Sequence, residues 1–295
     1  MLSMQPDFAH AGRLITPAPT HTAVRPFRFL CWAAVVTLAA GFFEGSADSY
    51  TWTAGSRYDA NGSNDNNLWS NPANWSPHGV PGAGDTASVG STAYGNPDPV
   101  GNLTLANLTV QGGATVTVTS LTVDTLTLAN GNLLGGTVQF SGNAIDAWTW
   151  DGGTISGTFQ IQGGVRAHFA GSNSHVFSPS TTLHNNGEIA WSDGPLHFGH
   201  GSALRNAGTF LITNNQILFP YTGGTPAPVF ENAGTLRKSA SSGTTTFRAD
   251  NGGITFTNRA IVDLQTGTLS LPARSDFGHG GSLAGPGTCS LEGTA

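Results

Sequence analysis

Charge is scarce in this chain of 295 residues: Asp, Glu, Lys and Arg together make 9% of it, against roughly a quarter in ordinary soluble domains. Long surface helices need many Glu, Lys and Arg residues, so an α-rich protein is excluded. Basic side chains are the scarcest of all, with Lys+Arg 11 against Asp+Glu 17, a formal net charge of -6 and a single lysine, Lys238. No basic stripe exists, and the acidic balance excludes nucleic acid as a partner, because affinity for a phosphate backbone comes from clustered Lys and Arg. Cysteine is nearly absent too, with only Cys31 and Cys289. Cys31 sits in an apolar leader, so a processed chain keeps one thiol and no disulfide staples the monomer. The phosphate-binding Gly-x-x-x-x-Gly-Lys string is missing, as is Gly-x-Ser-x-Gly in the mature chain, and no cofactor is indicated.

What is present begins with an apolar run, Phe29–Phe43, preceded by Arg25 and Arg28. It is too short for a span of about 20 residues. It fits the apolar region of an export signal, with the small residues Gly45, Ser46 and Ala47 before a cleavage point at Asp48. We therefore read residues 1–47 as a signal peptide. The mature protein is expected to be secreted or held at the cell surface, with no membrane span.

Residues 48–98 are rich in Trp, Asn and Pro, and from residue 99 the texture changes to short alternating runs of Thr, Val and Leu broken by Gly and Asn. Alternation at period 2 is the strand signal, and no helix-length periodicity competes with it. The runs repeat. LTLANLTV at Leu103 returns as LTVDTLTL at Leu121. A second template occurs as LHNNGEI at Leu183, LRNAGTF at Leu204, FENAGTL at Phe230 and FTNRAIV at Phe256. A third pair is FGHGSAL at Phe198 and FGHGGSL at Phe277.

Short strands with a Gly/Asn corner, recurring at this interval, predict an all-β solenoid whose coils stack about 4.8 Å apart around an apolar column. The repeated Asn185, Asn206, Asn232 and Asn258 are placed at a corner, where asparagine tolerates left-handed backbone and bonds turn amides. The repeats suffice for about eight or nine coils. Trp52, Trp69 and Trp75 are expected to cap the first coil, since an open solenoid end exposes unpaired strand edges. A β-sandwich or jelly roll also uses short strands, but its strands need not repeat in sequence.

The run WSNPANWSPHGVPGAGDTA at Trp69 resembles the start of the mature region of large secreted bacterial repeat proteins, and FENAGTLRKSASSGTTTF at Phe230 with IVDLQTGTLSL at Ile261 resembles their coils. The resemblance implies a right-handed parallel β-helix of the adhesin or autotransporter-passenger kind, with a pectin-lyase-like fold. It covers most of residues 50–295 and is specific for architecture, not activity. The final GPGTCSLEGTA breaks off in mid-repeat, as a C-terminally truncated array would.

Candidates for chemistry are few. His200 and His279 each lie in a Gly-His-Gly, a string some β-helical pectin hydrolases use. The Asn-Thr-Asp, paired Asp and Arg-Ile-Lys that accompany it there are missing here. The carboxylate nearest His200 in sequence is Asp193, whereas glycoside hydrolysis needs two opposed carboxylates. His175, His184, His197 and His200 do not make a metal site by spacing, and Asp59–Asn67 reads as a polar turn, without the bidentate Glu of a calcium loop. Trp148 and Trp150 share one strand face. Exposed, they form a platform for sugar rings; buried, they fill a wide coil. Thr115, Thr117, Thr119, Thr125 and Thr127 resemble an ice-binding array, but the run stops there.

The expected function is a non-enzymatic, adhesin-like or structural surface module contacting extracellular glycans or cell-surface polymers. A polysaccharide lyase or hydrolase is the alternative, favoured if Asp or Glu, Arg and His converge across neighbouring coils. Ice binding is the third reading.

Overall fold

The computed structural model describes residues 47–55, 67–92, 95–221, 224–250, 252–273 and 275–292. The expected export segment, apart from Ala47, and all of Asp59–Asn67 except Asn67 lie outside them. Among the described residues the elements are strands, apart from one 3-10 turn at Pro72–Asn74.

The alternation works as the sequence predicts. Strands such as Glu188–Trp191, Thr209–Ile212 and Thr235–Lys238 bury their second and fourth residues and turn the others outward. Each pairs in parallel, in register, with its equivalent one coil further on. Three such sheets wind into an all-β parallel solenoid of about ten turns. The first sheet runs through Asp146–Trp150, Arg166–Phe169, Glu188–Trp191, Thr209–Ile212, Thr235–Lys238 and Ile261–Leu264. The second runs through Gly153–Ile155, His175–Phe177, Leu196–Phe198 and Ile217–Pro220. The third runs through Thr158–Ile161, Thr182–Asn185, Ala203–Asn206, Val229–Asn232 and Thr255–Asn258. In the early coils single long strands, Val100–Gln111 and Thr115–Ala129, bend round the corners and serve more than one sheet.

The turn count exceeds the sequence expectation because rungs begin before residue 99. Thr86–Val89 pairs in parallel with 107–110, and Ser49–Thr51 pairs in parallel with Thr86–Ser88. At this end Trp52, Trp69 and Trp75 are buried in one aromatic cluster with Tyr50 at its edge. The indole of Trp75 donates to the Trp69 carbonyl at 2.8 Å, and that of Trp52 to the Gly95 carbonyl at 3.1 Å. Tryptophan suits this position because it covers a large area while the N–H of Trp52 and of Trp75 reaches a partner; that of Trp69 is buried without one among the described residues.

The LTLANLTV and LTVDTLTL repeats are successive rungs: Leu103 lies on Leu121, Leu108 on Leu126 and Val110 on Leu128. Further along, the column widens. Trp148 and Trp150 are fully buried, with ring centroids 5.4 Å apart, and Trp148 also stacks on Phe140 and Phe159.

Two corners are polar inside. Between the third and first sheets, Asn185, Asn206, Asn232 and Asn258 form a buried ladder. Each Nδ2 donates to the next Oδ1, at 2.7, 2.8 and 2.7 Å. The second amide hydrogen goes to the carbonyls of Thr209, Thr235 and Ile261 in turn. At the last rung no asparagine follows, and Asn258 donates to its own corner, at Ala260. Between the first and second sheets, inward turn carbonyls are met by three different donors. His175 Nε2 lies 2.7 Å from the Trp150 carbonyl, the Trp191 indole donates to the Gly194 carbonyl, and Lys238 Nζ donates to the Asn214 carbonyl. Buried carbonyls need partners wherever the chain leaves a strand.

Candidate functional site

Asp193 and His200 do not meet. They occupy turns at opposite ends of Leu196–Phe198. Asp193 Oδ1 accepts from the Gly194 amide and from Gln216 Nε2, which fixes its turn. His200 packs against Gly224. The two Gly-His-Gly copies are both turns but at different corners. Phe198 ends a strand of the second sheet, whereas Phe277 pairs with Asn258 in the third. Trp148 and Trp150 offer no face to a sugar, since both are buried; of the two alternatives the structure takes the wide coil. His175 is buried in the core, while His184 and His197 face outward from the third and second sheets. Outward threonines are in register over Thr109, Thr127 and Thr149, and the column then continues as His168.

Side chains that do converge lie on the outer face of the first sheet. Arg166 stacks on Glu188 in the next coil and on Asp146 in the previous one. Its Nε donates to Glu188 Oε1 at 2.7 Å and its Nη1 to Asp146 Oδ1 at 3.4 Å. His168 Nε2 lies 2.9 Å from the same Asp146 oxygen. A β-bulge assembles this set. Ala167 pairs with Trp148 while Arg166 pairs with Asp146, so Ala147 is the extra residue. Ala147 and Trp148 are both buried, and Asp146 is turned outward. Bulges redirect single side chains in this way. Strict alternation from the inward Trp148 would have pointed Asp146 into the core, which is why the cluster is hidden in the pattern.

Beside the cluster a groove of about 350 Å³ follows the corner. Its floor is backbone at Gly164, Gly187 and Gly208, its wall is Ile145 and Val165, and Arg166 and Glu188 stand at its rim. Ile145 is 69% exposed. Two of these glycines are required because the coils approach closely: a Cβ on Gly187 would fall 2.1 Å from the Val165 carbonyl oxygen, and one on Gly208 2.0 Å from that of Gly187, whereas Gly164 has open space but a φ of +85°.

The electrostatics favour an ionised Asp146. The hydrogen bond from His168, with the charges of His168 and Arg166 and the Arg166 hydrogen bond, holds Asp146 below the usual carboxylate range, outweighing the opposing effect of desolvation. A planar guanidinium clasped by two carboxylates has little freedom, and the free carboxylate oxygens are fixed acceptors. What the arrangement provides is a rigid, open set of polar groups for hydroxyl or ammonium donors. Asp146, held ionised, is not suited to be the proton-carrying acid that glycoside hydrolysis requires.

On the second sheet a different surface exists. His197 lies against Phe219 one coil later, with centroids 4.2 Å apart and the rings tilted by 53°, and Tyr221 lies 6.2 Å from His197. Among the described residues no group of three or more His, Cys, Asp or Glu side chains could hold a metal ion, and no helix is long and apolar enough to cross a membrane.

No family model matches this chain, and neither the curated proteins nor the solved structures contain a match to it.

Proposed function

We propose that this protein is a secreted or cell-surface solenoid of the adhesin or autotransporter-passenger kind, non-enzymatic, that contacts extracellular glycans through the outer faces of its coils. One observation carries the proposal: the Asp146–Arg166–Glu188 set, locked by ion pairs on rigid strands beside an open groove. Sugar recognition uses such planar, pre-oriented groups, because their ordering cost is met before the ligand arrives. The export signal read from the sequence and the resemblance of the Trp69 and Phe230 segments to such proteins support the compartment and the kind. The right-handed, pectin-lyase-like winding is part of the same proposal.

The enzymatic alternative, a polysaccharide lyase or hydrolase, is favoured by the gathering of Asp, Arg, His and Glu across neighbouring coils. It ranks second because Arg166 pairs both carboxylates and Asp146 is held ionised.

A glycan array with the purified full chain, run beside turnover assays on acidic and neutral polysaccharides, tests both readings. The expected result is binding without depolymerisation, weakened about tenfold by Arg166→Gln, as for loss of a central polar anchor. Depolymerisation abolished by Glu188→Gln would establish the enzyme instead.

A further inference from the structure

The outward residues of the first and third sheets are mostly polar or charged. Outer positions of the second sheet depart from this over two coils. His197 pairs with Phe219, Tyr221 follows two residues later, and Val176 precedes His197 in the coil before. Tyr221 is 37% exposed, and His197 and Phe219 are half-buried. At the far end Phe247 pairs with Leu218, so Arg248 flanks Phe219; its guanidinium is ion-paired to Asp250 at 2.9 Å.

We propose that His197, Phe219 and Tyr221 form a stacking subsite for one or two pyranose rings of a neutral polysaccharide, with the Arg248–Asp250 pair bonding the ring hydroxyls.

The inference rests on the glycan reading above but uses a different face and a different chemistry. Three half-exposed rings cover far less than the roughly 1,000 Å² a stable protein interface requires, which favours a ring-sized ligand over a protein as occupant. Aromatic faces attract the C–H face of a sugar by dispersion and by the ring quadrupole, and His197 and Phe219, fixed on strands, lose little entropy on binding. Burial pushes the His197 imidazole down and the Tyr221 phenol up. At neutral pH both rings are therefore uncharged, and the phenol keeps its donor hydrogen.

Affinity electrophoresis of the full chain through gels containing hydroxyethyl cellulose, or polygalacturonate, tests this. Phe219→Ala, Tyr221→Ala, Phe219→Trp and Arg166→Gln are compared with the wild type after circular dichroism has shown each to be folded. Retardation by hydroxyethyl cellulose is expected to weaken about tenfold in Phe219→Ala and Tyr221→Ala and to persist in Phe219→Trp. If Arg166→Gln alone removes retardation, the stacking subsite is refuted while the glycan reading stands. If neither polymer retards the wild type, both fail. If Phe219→Ala instead changes the oligomeric state by light scattering, the strip is a contact between copies and the proposal is overturned.

Discussion

Lys238 is the chain's only lysine, and it points inward, stacked in register between Ile212 and Leu264. Its ammonium is fully buried and donates to the Asn214 carbonyl at 2.8 Å, Ser241 Oγ at 2.7 Å and Thr245 Oγ1 at 2.9 Å. All these acceptors are neutral. Burial without a compensating anion pushes its pKa below the ordinary 10.5. The unfolded chain therefore binds this proton more tightly than the fold does. The cost to stability is full below the folded pKa and shrinks as pH rises towards the unfolded value. Lys238→Met should raise the unfolding free energy by about 2 kcal/mol at neutral pH, since an apolar side chain replaces a buried charge and the Asn214 carbonyl keeps the Ser241 and Thr245 hydroxyls. In urea melts the gap between the two proteins should close at alkaline pH. A gap independent of pH, or a less stable variant, would show that the buried charge is not the cause.

At the scale of the element, the corner between the third and first sheets joins two requirements. The asparagine side chain bonds the coil ahead, and the residue two places later must be small enough for coils to meet. In the fourth copy Ala260 stands where the others have glycine, and its amide lies 3.4 Å from Asn258 Oδ1, against 3.1 Å for Gly187 and Asn185. Asn206→Ala leaves a donor hydrogen of Asn185, Asn232 Oδ1 and the Thr235 carbonyl without partners in a buried site. It should cost about 3 kcal/mol in chemical denaturation, and Asn258→Ala at the ladder's end should cost less. Equal losses at both positions would contradict a continuous ladder. This corner was legible because one position needs one residue type in every coil, and so left a repeat. The Asp146, Arg166 and Glu188 set left none. Its members are of opposite charge in successive coils, so they complement rather than copy one another, and it is the Ala147 bulge, not the alternation, that puts Asp146 on the outer face. Spacings of 20 and 22 residues, close to the coil length, were the available signal. Trp148 and Trp150 were ambiguous for a related reason: period 2 puts them on one face but does not say which.

For the whole molecule, three parallel sheets wound through about ten turns explain how so weakly charged a chain folds without disulfides. Each coil buries its apolar side chains against two neighbours, and backbone polar groups bond along the stack. The long repeated faces then become the working surface, with function placed on outer positions that the core does not constrain. The central claim is that sequence separation converts to height by coil number alone. Thr122, Gln139, Gln160, His184, Arg205, Glu231 and Thr257 are successive outward members of one column. Spin labels at Thr122→Cys and Thr257→Cys, with Cys31 and Cys289 replaced by serine, measure it by pulsed dipolar spectroscopy. Six coil steps predict a separation of about 29 Å, and labels at Thr122 and His184 about 14 Å. Distances that do not grow in proportion to the number of coils would contradict the stacked solenoid.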